Sequence, residues 1–494
     1  MSTVGFGIDF GTTNSVVSAY DGRSLTSFMD NKGLPHPSVI WFRGDGEEKI
    51  VGREAKDNIK SHGNMPGNKF ITSIKSKIQN QEEVEIFGRP YYNWQIASEI
   101  FNFLRRDTKS RFTQFPEISE AVVTVPLYFG GRQRQAIRQA SEKAGIRVKA
   151  FIHEPFAAAI GYLYGQYGLN QLKDLRENIL VFDWGGGTLD ITLAKVDNGT
   201  ISEISNAGFP GRSGDHFDEN LMSYLTGKFL EDEGIPSEKF YLDRGVAGIF
   251  QNEAEFSKIG LSIEDESSIG IFDFFELDGH SYDLFRTIGR HEFEQVIRDD
   301  IDLAINNLRK VLDNSRTDVS QVSKVLLVGG TSQIPLLRKT IYEIFGISRV
   351  VNLDNSATLI SEGAAIISHH NWKPFLVNAV CLQLSDDSHI PIFEPGTILD
   401  PKFAEDNKTF FCTDNRDGEA HFIISEDIGM NEYKVKKILS VPVSKTLIDA
   451  FEEKLYVNCA FDEDLIFRVS ARSSVKGESR QSQIHDVCYG LRFA

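Results

Sequence analysis

Two short segments of the chain place an aspartate between an apolar run and a glycine turn. They are Gly7-Ile8-Asp9-Phe10-Gly11-Thr12-Thr13-Asn14 and Val181-Phe182-Asp183-Trp184-Gly185-Gly186-Gly187-Thr188-Leu189-Asp190. Both follow one plan of apolar strand, Asp, aromatic, Gly and Thr, which implies two half-domains built alike. A third glycine turn, Val328-Gly329-Gly330-Thr331-Ser332, follows another apolar strand. Glycine tolerates positive φ and carries no side chain, so such a turn can present backbone N–H groups and hydroxyls to an anion. Two of them face to face would hold the β- and γ-phosphates of a nucleotide. Asp9 and Asp183 would stand between them and orient water ligands of Mg²⁺, a hard cation that keeps several waters. One turn alone is equally well an ordinary tight hairpin, and it is the repetition that favours phosphate. Glu154 precedes a helix-starting Pro155, where a carboxylate on a rigid strand end either orients a nucleophilic water or caps the helix.

The elements that must position these groups are legible as buried strands alternating with helices. Ala121-Val122-Val123-Thr124-Val125, Asn178-Ile179-Leu180-Val181-Phe182 and Lys324-Val325-Leu326-Leu327-Val328 are near-continuously apolar, the pattern of an α/β fold. A helix is expected from Arg132 to Ala144, stopped by Gly145, and another begins at Pro155 and runs through Ala157, Ala158 and Tyr162. Composition and punctuation shift at Ser368-His369-His370-Asn371-Trp372-Lys373-Pro374. Residues 1–368 are therefore expected to form an α/β domain of two duplicated lobes, 369–377 a linker, and 378–494 a small all-β, sandwich-like domain. In that last part, Lys454 to Phe461 is expected to pair with Leu465 to Ala471 across an acidic turn, Asp462-Glu463-Asp464, read as a solvated loop rather than a Ca²⁺ site. Thr446 to Phe451 reads as a helix interrupting the strands.

With 494 residues the chain has room for two to four domains and a large core. Its 53 Lys+Arg against 70 Asp+Glu give a net charge of -17, which repels phosphate backbones and anionic lipid. Direct nucleic-acid and membrane partners are disfavoured. The first apolar run contains Asp9, has no basic lead-in, and no apolar stretch reaches membrane-spanning length, so a cytoplasmic protein is expected. The four cysteines, Cys381, Cys412, Cys459 and Cys488, are widely spaced and read as buried free thiols in a reducing compartment.

Taken together these segments resemble the seventy-kilodalton heat-shock (DnaK-type) chaperones, within the actin and hexokinase ATPase superfamily. The resemblance also rests on Pro37-Ser38-Val39-Ile40, on Val125-Pro126-Leu127-Tyr128-Phe129, on His153-Glu154-Pro155 with Ala157-Ala158-Ala159, and on Leu327 to Pro335. It extends over residues 4 to 494 and implies an actin-like ATPase domain followed by a β-sandwich that binds client polypeptide. It implies that Thr12 and Thr13 hold the phosphates and that Gly185, Gly186, Gly187 and Thr188 cradle them from the facing lobe. Gly329 and Gly330 would flank the adenosine, and Asp9 and Asp183 would orient Mg²⁺ through water. Gly11, Asn14, Ser262, Thr331 and Asp354 complete the implied ATP/ADP site. Lys75 matches the catalytic lysine one residue late, with Lys77 as the alternative, and the implied catalytic set is Lys75, Glu154, Asp183 and Asp9. Pro126, Arg134 and Glu154 match positions thought to relay nucleotide state to the second domain.

Departures from the family pattern are equally specific. Glu255 and Lys258 match its ribose-binding pair, with i,i+3 spacing that puts both on one helix face. Ile259 and Gln333, however, stand where the family usually has two Arg that sandwich adenine, so weaker or less selective base binding is expected. Restoring one of them with Gln333→Arg is expected to tighten adenine-nucleotide binding by at most about tenfold. The family's helical lid has no counterpart before Ala494, and its interdomain linker is not recognisable in Trp372 to Val377. The resemblance implies an ATP-hydrolysing chaperone, a slow Mg-dependent ATPase whose partners are unfolded or nascent polypeptide, co-chaperones and nucleotide-exchange factors. The alternative is a weakly or non-catalytic ATP-binding scaffold, similar to truncated ribosome-associated relatives. A small-molecule kinase of the same superfamily gives the β-domain no obvious use.

Overall fold

The structure is a computed structural model that describes residues 4–44, 46–79, 83–353, 355–400, 405–429, 432–446 and 452–493. Its organising feature is one five-strand order that occurs twice. In the first lobe the order is Arg147–His153, Glu120–Val125, Gly5–Phe10, Asn14–Tyr20 and Leu25–Phe28. In the second it is Val350–Val351, Lys324–Val328, Arg176–Trp184, Thr188–Asp197 and Thr200–Pro210. Each central strand is parallel to the neighbour on one side and antiparallel to the next strand in sequence on the other. The repeated motif of the sequence is thus a repeated hairpin, and the hairpin and phosphate-turn readings describe the same loops.

The strands at the centre of each sheet are buried on both faces, which is why they read as continuous apolar runs. Two helices, Glu154–Leu172 and Leu359–His370, lie between the lobes and cross closely. A Cβ on Gly363 would sit 1.9 Å from the Ala157 carbonyl oxygen, and one on Gly161 would sit 2.5 Å from that of Leu359. The expected helices are present as Gly131–Lys143 and Glu154–Leu172. This duplicated two-lobe arrangement is the actin-like ATPase fold, and it is followed by an all-β region of two four-stranded antiparallel sheets. Among the described residues no helix is long and apolar enough to cross a membrane, and all four cysteines are free and buried.

The β region is not set apart from the lobes. Helix Leu359–His370 runs into the expected linker, and Phe375–Leu376 forms a short strand. The chain's last strand, Tyr489–Arg492, fills the gap between Thr200–Pro210 and Phe375–Leu376, extending the second lobe's sheet to seven strands. One apolar core accordingly continues from Phe156 and Val181 between the lobes to Phe461 and Val469 in the β region. The hairpin of Lys454–Phe461 with Phe467–Ser473 forms as expected, with Phe461 opposite Phe467. Its acidic turn is not a solvated loop: Asp464 is buried, and Arg138 from helix Gly131–Lys143 donates to its carboxylate at 2.6 Å. A turn read in isolation has no visible partner, and here the partner lies more than 300 residues away. Of the expected helix from Thr446 to Phe451, all but Thr446 falls outside the described residues.

Candidate functional site

The glycine turns of the two lobes meet across a cleft of about 1220 Å³. Asp9, Gly11, Thr12, Thr13 and Asn14 line it from the first lobe, and Asp183, Gly185, Gly186, Gly187 and Thr188 from the second. The approach is tight. A Cβ on Gly186 would lie 2.0 Å from the Thr13 hydroxyl oxygen, and one on Gly187 would lie 2.4 Å from that of Thr12. The loop's acceptors are spent inside the protein. Thr331 Oγ1 donates to the Gly185 carbonyl (2.8 Å), Ser213 Oγ to that of Gly186 (2.6 Å), and the Gly211 N–H to that of Gly187 (3.3 Å). What remains to offer an anion is the N–H side of the turn, together with two threonine hydroxyls. On the first lobe Ser38 does the same service, donating its hydroxyl to the Gly11 carbonyl and its N–H to that of Thr13.

Lys75 lies in the short 3-10 helix Ile74–Lys77 at the bottom of the cleft. It is buried, and its Nζ donates to Glu154 Oε1 at 2.5 Å. Phe129 lies under the ammonium, with the ring centroid 5.7 Å away, which gives the Tyr128-Phe129 motif a place in the site. Lys77, the alternative, is exposed and does not line the cleft. Ser73, which opens the Lys75 turn, has a left-handed φ of 52°, and its hydroxyl is held by Asp215 of the other lobe at 2.7 Å. Burial alone would lower the Lys75 pKa, but the charges of Glu154 and Asp9 outweigh it and hold the ammonium above its ordinary value.

The carboxylates around it are crowded. Burial, reinforced by Glu154, pushes Asp9 up to about 7 despite the nearby ammonium and a hydrogen bond from Thr124. Asp183 is raised well above the usual carboxylate range by burial and by the charges of Glu154, Asp190 and Asp9. Asp190, named in the sequence motif but given no role there, rises to about 7 for the same leading reasons. Its Oδ1 accepts from the Leu127 N–H, while its Oδ2 is buried and within normal hydrogen-bond distance of no partner among the described residues. Four carboxylates facing one ammonium leave a surplus of negative charge that a divalent cation would relieve. Among the described residues no three His, Cys, Asp or Glu side chains are arranged to ligate a metal directly. The donor set therefore fits Mg²⁺ held through water and phosphate oxygens, the mode this cation prefers.

The implied nucleoside end of the cleft contains Glu255, Lys258, Ile259, Ser262, Gly329, Gly330, Thr331 and Gln333. Glu255 is engaged across the cleft by Lys56 at 2.7 Å, and Lys258 by Asp218 and the Gly214 carbonyl, each at 2.8 Å. Gly329 has a positive φ of 81°, and a Cβ there would also lie 2.4 Å from the Trp184 carbonyl oxygen. Asp354 lies outside the described residues. Lys56, Asp215, Arg338 and Tyr342 were invisible to motif reading, because each joins the site through a contact with a distant or unmotivated partner.

Arg134 and Glu154, two of the matched relay positions, lead from this site toward the β region. Arg134 is fully buried. It donates to the carbonyls of Phe129 (2.8 Å) and Asp464 (2.7 Å) and lies 3.3 Å from His153 Nε2. His153, next to Glu154 in sequence, contacts Glu203 at 2.9 Å through Nδ1, and its backbone N–H donates to the Tyr489 hydroxyl at 2.5 Å. One peptide bond thus separates a carboxylate in the cleft from a contact with the chain's last strand.

Facing glycine turns, a buried Lys–Glu pair and carboxylates gathered between duplicated lobes define a nucleotide-binding cleft of the actin-like class. Known sequences give the narrower assignment: the profile of the family described as Hsp70 protein matches residues 5–382, and this chain belongs to that family. The chaperone protein DnaK of Mycoplasma mycoides subsp. mycoides SC is 32% identical over 365 residues, which covers 73% of this chain and 58% of that protein. The chain thus spans less than two thirds of this relative's length, and the family match ends at residue 382, just inside the β region.

Proposed function

We propose that this chain is an ATP-dependent chaperone of its family. It binds Mg·ATP in the interlobe cleft, hydrolyses it slowly to ADP and phosphate, and couples nucleotide state to the binding of unfolded or nascent polypeptide. The observation that carries the reading is the convergence of Lys75, Glu154, Asp9 and Asp183 beneath two facing glycine turns. Thr12, Thr13 and the N–H groups of Gly186 and Gly187 bind the phosphates. Lys75, held by Glu154, presents its ammonium to charge that develops on the γ-phosphate. Glu154, which lines the cleft beside Lys75, is placed to orient the attacking water. Magnesium, when bound, supplies compensation for phosphate charge, with Asp9 and Asp183 orienting its waters.

In this reading residues 1–368 are the nucleotide-binding unit, 369–377 the connection and 378–494 the client-binding unit. Co-chaperones and nucleotide-exchange factors act on it in the cytoplasm. The Arg134 and Tyr489 contacts support a coupling between the two units. A second reading, a scaffold that holds ATP without turning it over appreciably, is favoured by the pairing of Thr200–Ser202 with Gly490–Arg492, which ties the β region to the second lobe. ATP hydrolysis measured with and without an unfolded peptide separates the two. Peptide stimulation supports the chaperone, and nucleotide binding without stimulation or turnover supports the scaffold.

A further inference from the structure

The nucleoside end of the cleft holds an arginine that no motif brought into view. Arg338, on helix Pro335–Phe345, lines the cleft together with Ile259, Gln333 and Tyr342. Its Nη1 donates to Gln333 Oε1 at 2.7 Å, and its Nη2 donates to the Tyr342 hydroxyl and to Asn352 Oδ1, both at 3.0 Å. All three acceptors are neutral. They fix the guanidinium plane by its edge without cancelling its charge, and one face already lies over the Tyr342 ring, with Cζ 5.9 Å from its centroid, so that a base would be met by the opposite face. A fixed guanidinium of this kind stacks on a heteroaromatic ring at little further entropic cost. Gln333 is therefore not an empty replacement for an arginine. Its amide oxygen holds the arginine of the next helical turn. Ile259, half exposed at the same end of the cleft, adds an aliphatic surface.

We propose that Arg338 covers one face of the bound purine base, with Gln333 as its positioning residue. The proposal rests on the nucleotide-binding reading above. It also reverses the expectation for Gln333→Arg. A second guanidinium at 333 removes the acceptor that orients Arg338 and sets two like charges side by side, so binding should weaken rather than tighten.

Calorimetric titration of the full chain with ADP and with inorganic tripolyphosphate tests this. Arg338→Ala should weaken ADP binding by about fivefold to thirtyfold and leave tripolyphosphate affinity unchanged, because only the base contact is lost. Arg338→Lys, which keeps the charge and loses the plane, should recover only part of the ADP affinity. Gln333→Ala should cost about twofold to fivefold, selectively for ADP, because one of three anchors goes. Equal loss for both probes, an unchanged Arg338→Ala, or tighter ADP binding by Gln333→Arg would overturn the proposal while leaving nucleotide binding intact. If the wild-type chain binds neither probe, the nucleotide reading falls and takes this proposal with it. Circular dichroism melting of each variant guards against a lost fold, which a partly exposed side chain gives little reason to expect.

Discussion

Arg134 and Asp464 lie 330 residues apart in the chain, yet the Arg134 guanidinium donates to the Asp464 backbone carbonyl at 2.7 Å in a fully buried position. The guanidinium donates to the carbonyls of Phe129 and Asp464 and lies 3.3 Å from His153 Nε2, with no carboxylate oxygen paired to it directly among the described residues. Burial lowers its pKa, only partly offset by Tyr489 and Asp464. A group so costly to bury holds the β region against the first lobe. Arg134→Met keeps much of the stem and leaves two carbonyls unpaired, a loss of roughly 3 kcal/mol. Urea unfolding should show that loss, and hydrogen exchange should quicken over Tyr489–Arg492. Destabilisation without faster exchange in that strand would mean that Arg134 does not hold the interface.

Lys75 is expected to serve the chemical step more than binding, since its charge is already compensated by Glu154 and meets new charge only as the γ-phosphate departs. Lys75→Ala should slow single-turnover hydrolysis by about a hundredfold with ATP affinity changed little. Lys77→Ala, at an exposed position outside the cleft, should leave both untouched.

The glycine turns differ in kind from glycines elsewhere. Gly186→Ala forces a methyl group to within 2.0 Å of the Thr13 hydroxyl oxygen, so the two lobes cannot close on phosphate. ATP affinity should fall at least about tenfold, an estimate from losing the contacts of one side of the cradle. Gly227→Ala, exposed in the middle of helix Gly214–Glu233 with open space around it, should instead raise stability by about 0.5–1 kcal/mol and leave nucleotide binding alone.

Asp190 gives the nucleotide-free protein a pH dependence. Its folded pKa, about 7, lies above the ordinary 3.8 of the unfolded chain, so the folded state holds its proton more tightly. Stability from this group is full below about pH 4 and is lost as pH rises to about 7, by up to ~1.4 kcal/mol per pH unit. Asp190→Asn, which keeps an acceptor for the Leu127 N–H and has no charge to bury, should be more stable than wild type at pH 8. The gap should close on acidification. Thermal melting from pH 8 to pH 5 without nucleotide measures this, and a constant gap would show that the ionisation of Asp190 is not its cause.

The duplicated lobes and both facing glycine turns were legible in the chain because their signals are local. A buried strand of a doubly covered sheet must be apolar throughout, and a tight anion-facing turn must carry glycine. Those demands fall on neighbouring residues and so leave a contiguous pattern. The choice of Lys75 over Lys77 was half legible: both fit the motif, and only the fold shows which is buried against Glu154. Other features were decided by tertiary structure alone. Asp464 looked like part of a solvated acidic turn until Arg134 and Arg138 reached it from the first lobe. The last strand carried no mark of its destination, because a strand's hydrogen bonds are made by its backbone, and backbone N–H and C=O groups are the same in every residue but proline. Gln333 looked like a lost arginine, since a side chain that works by holding another is recognisable only when the distance between them is known.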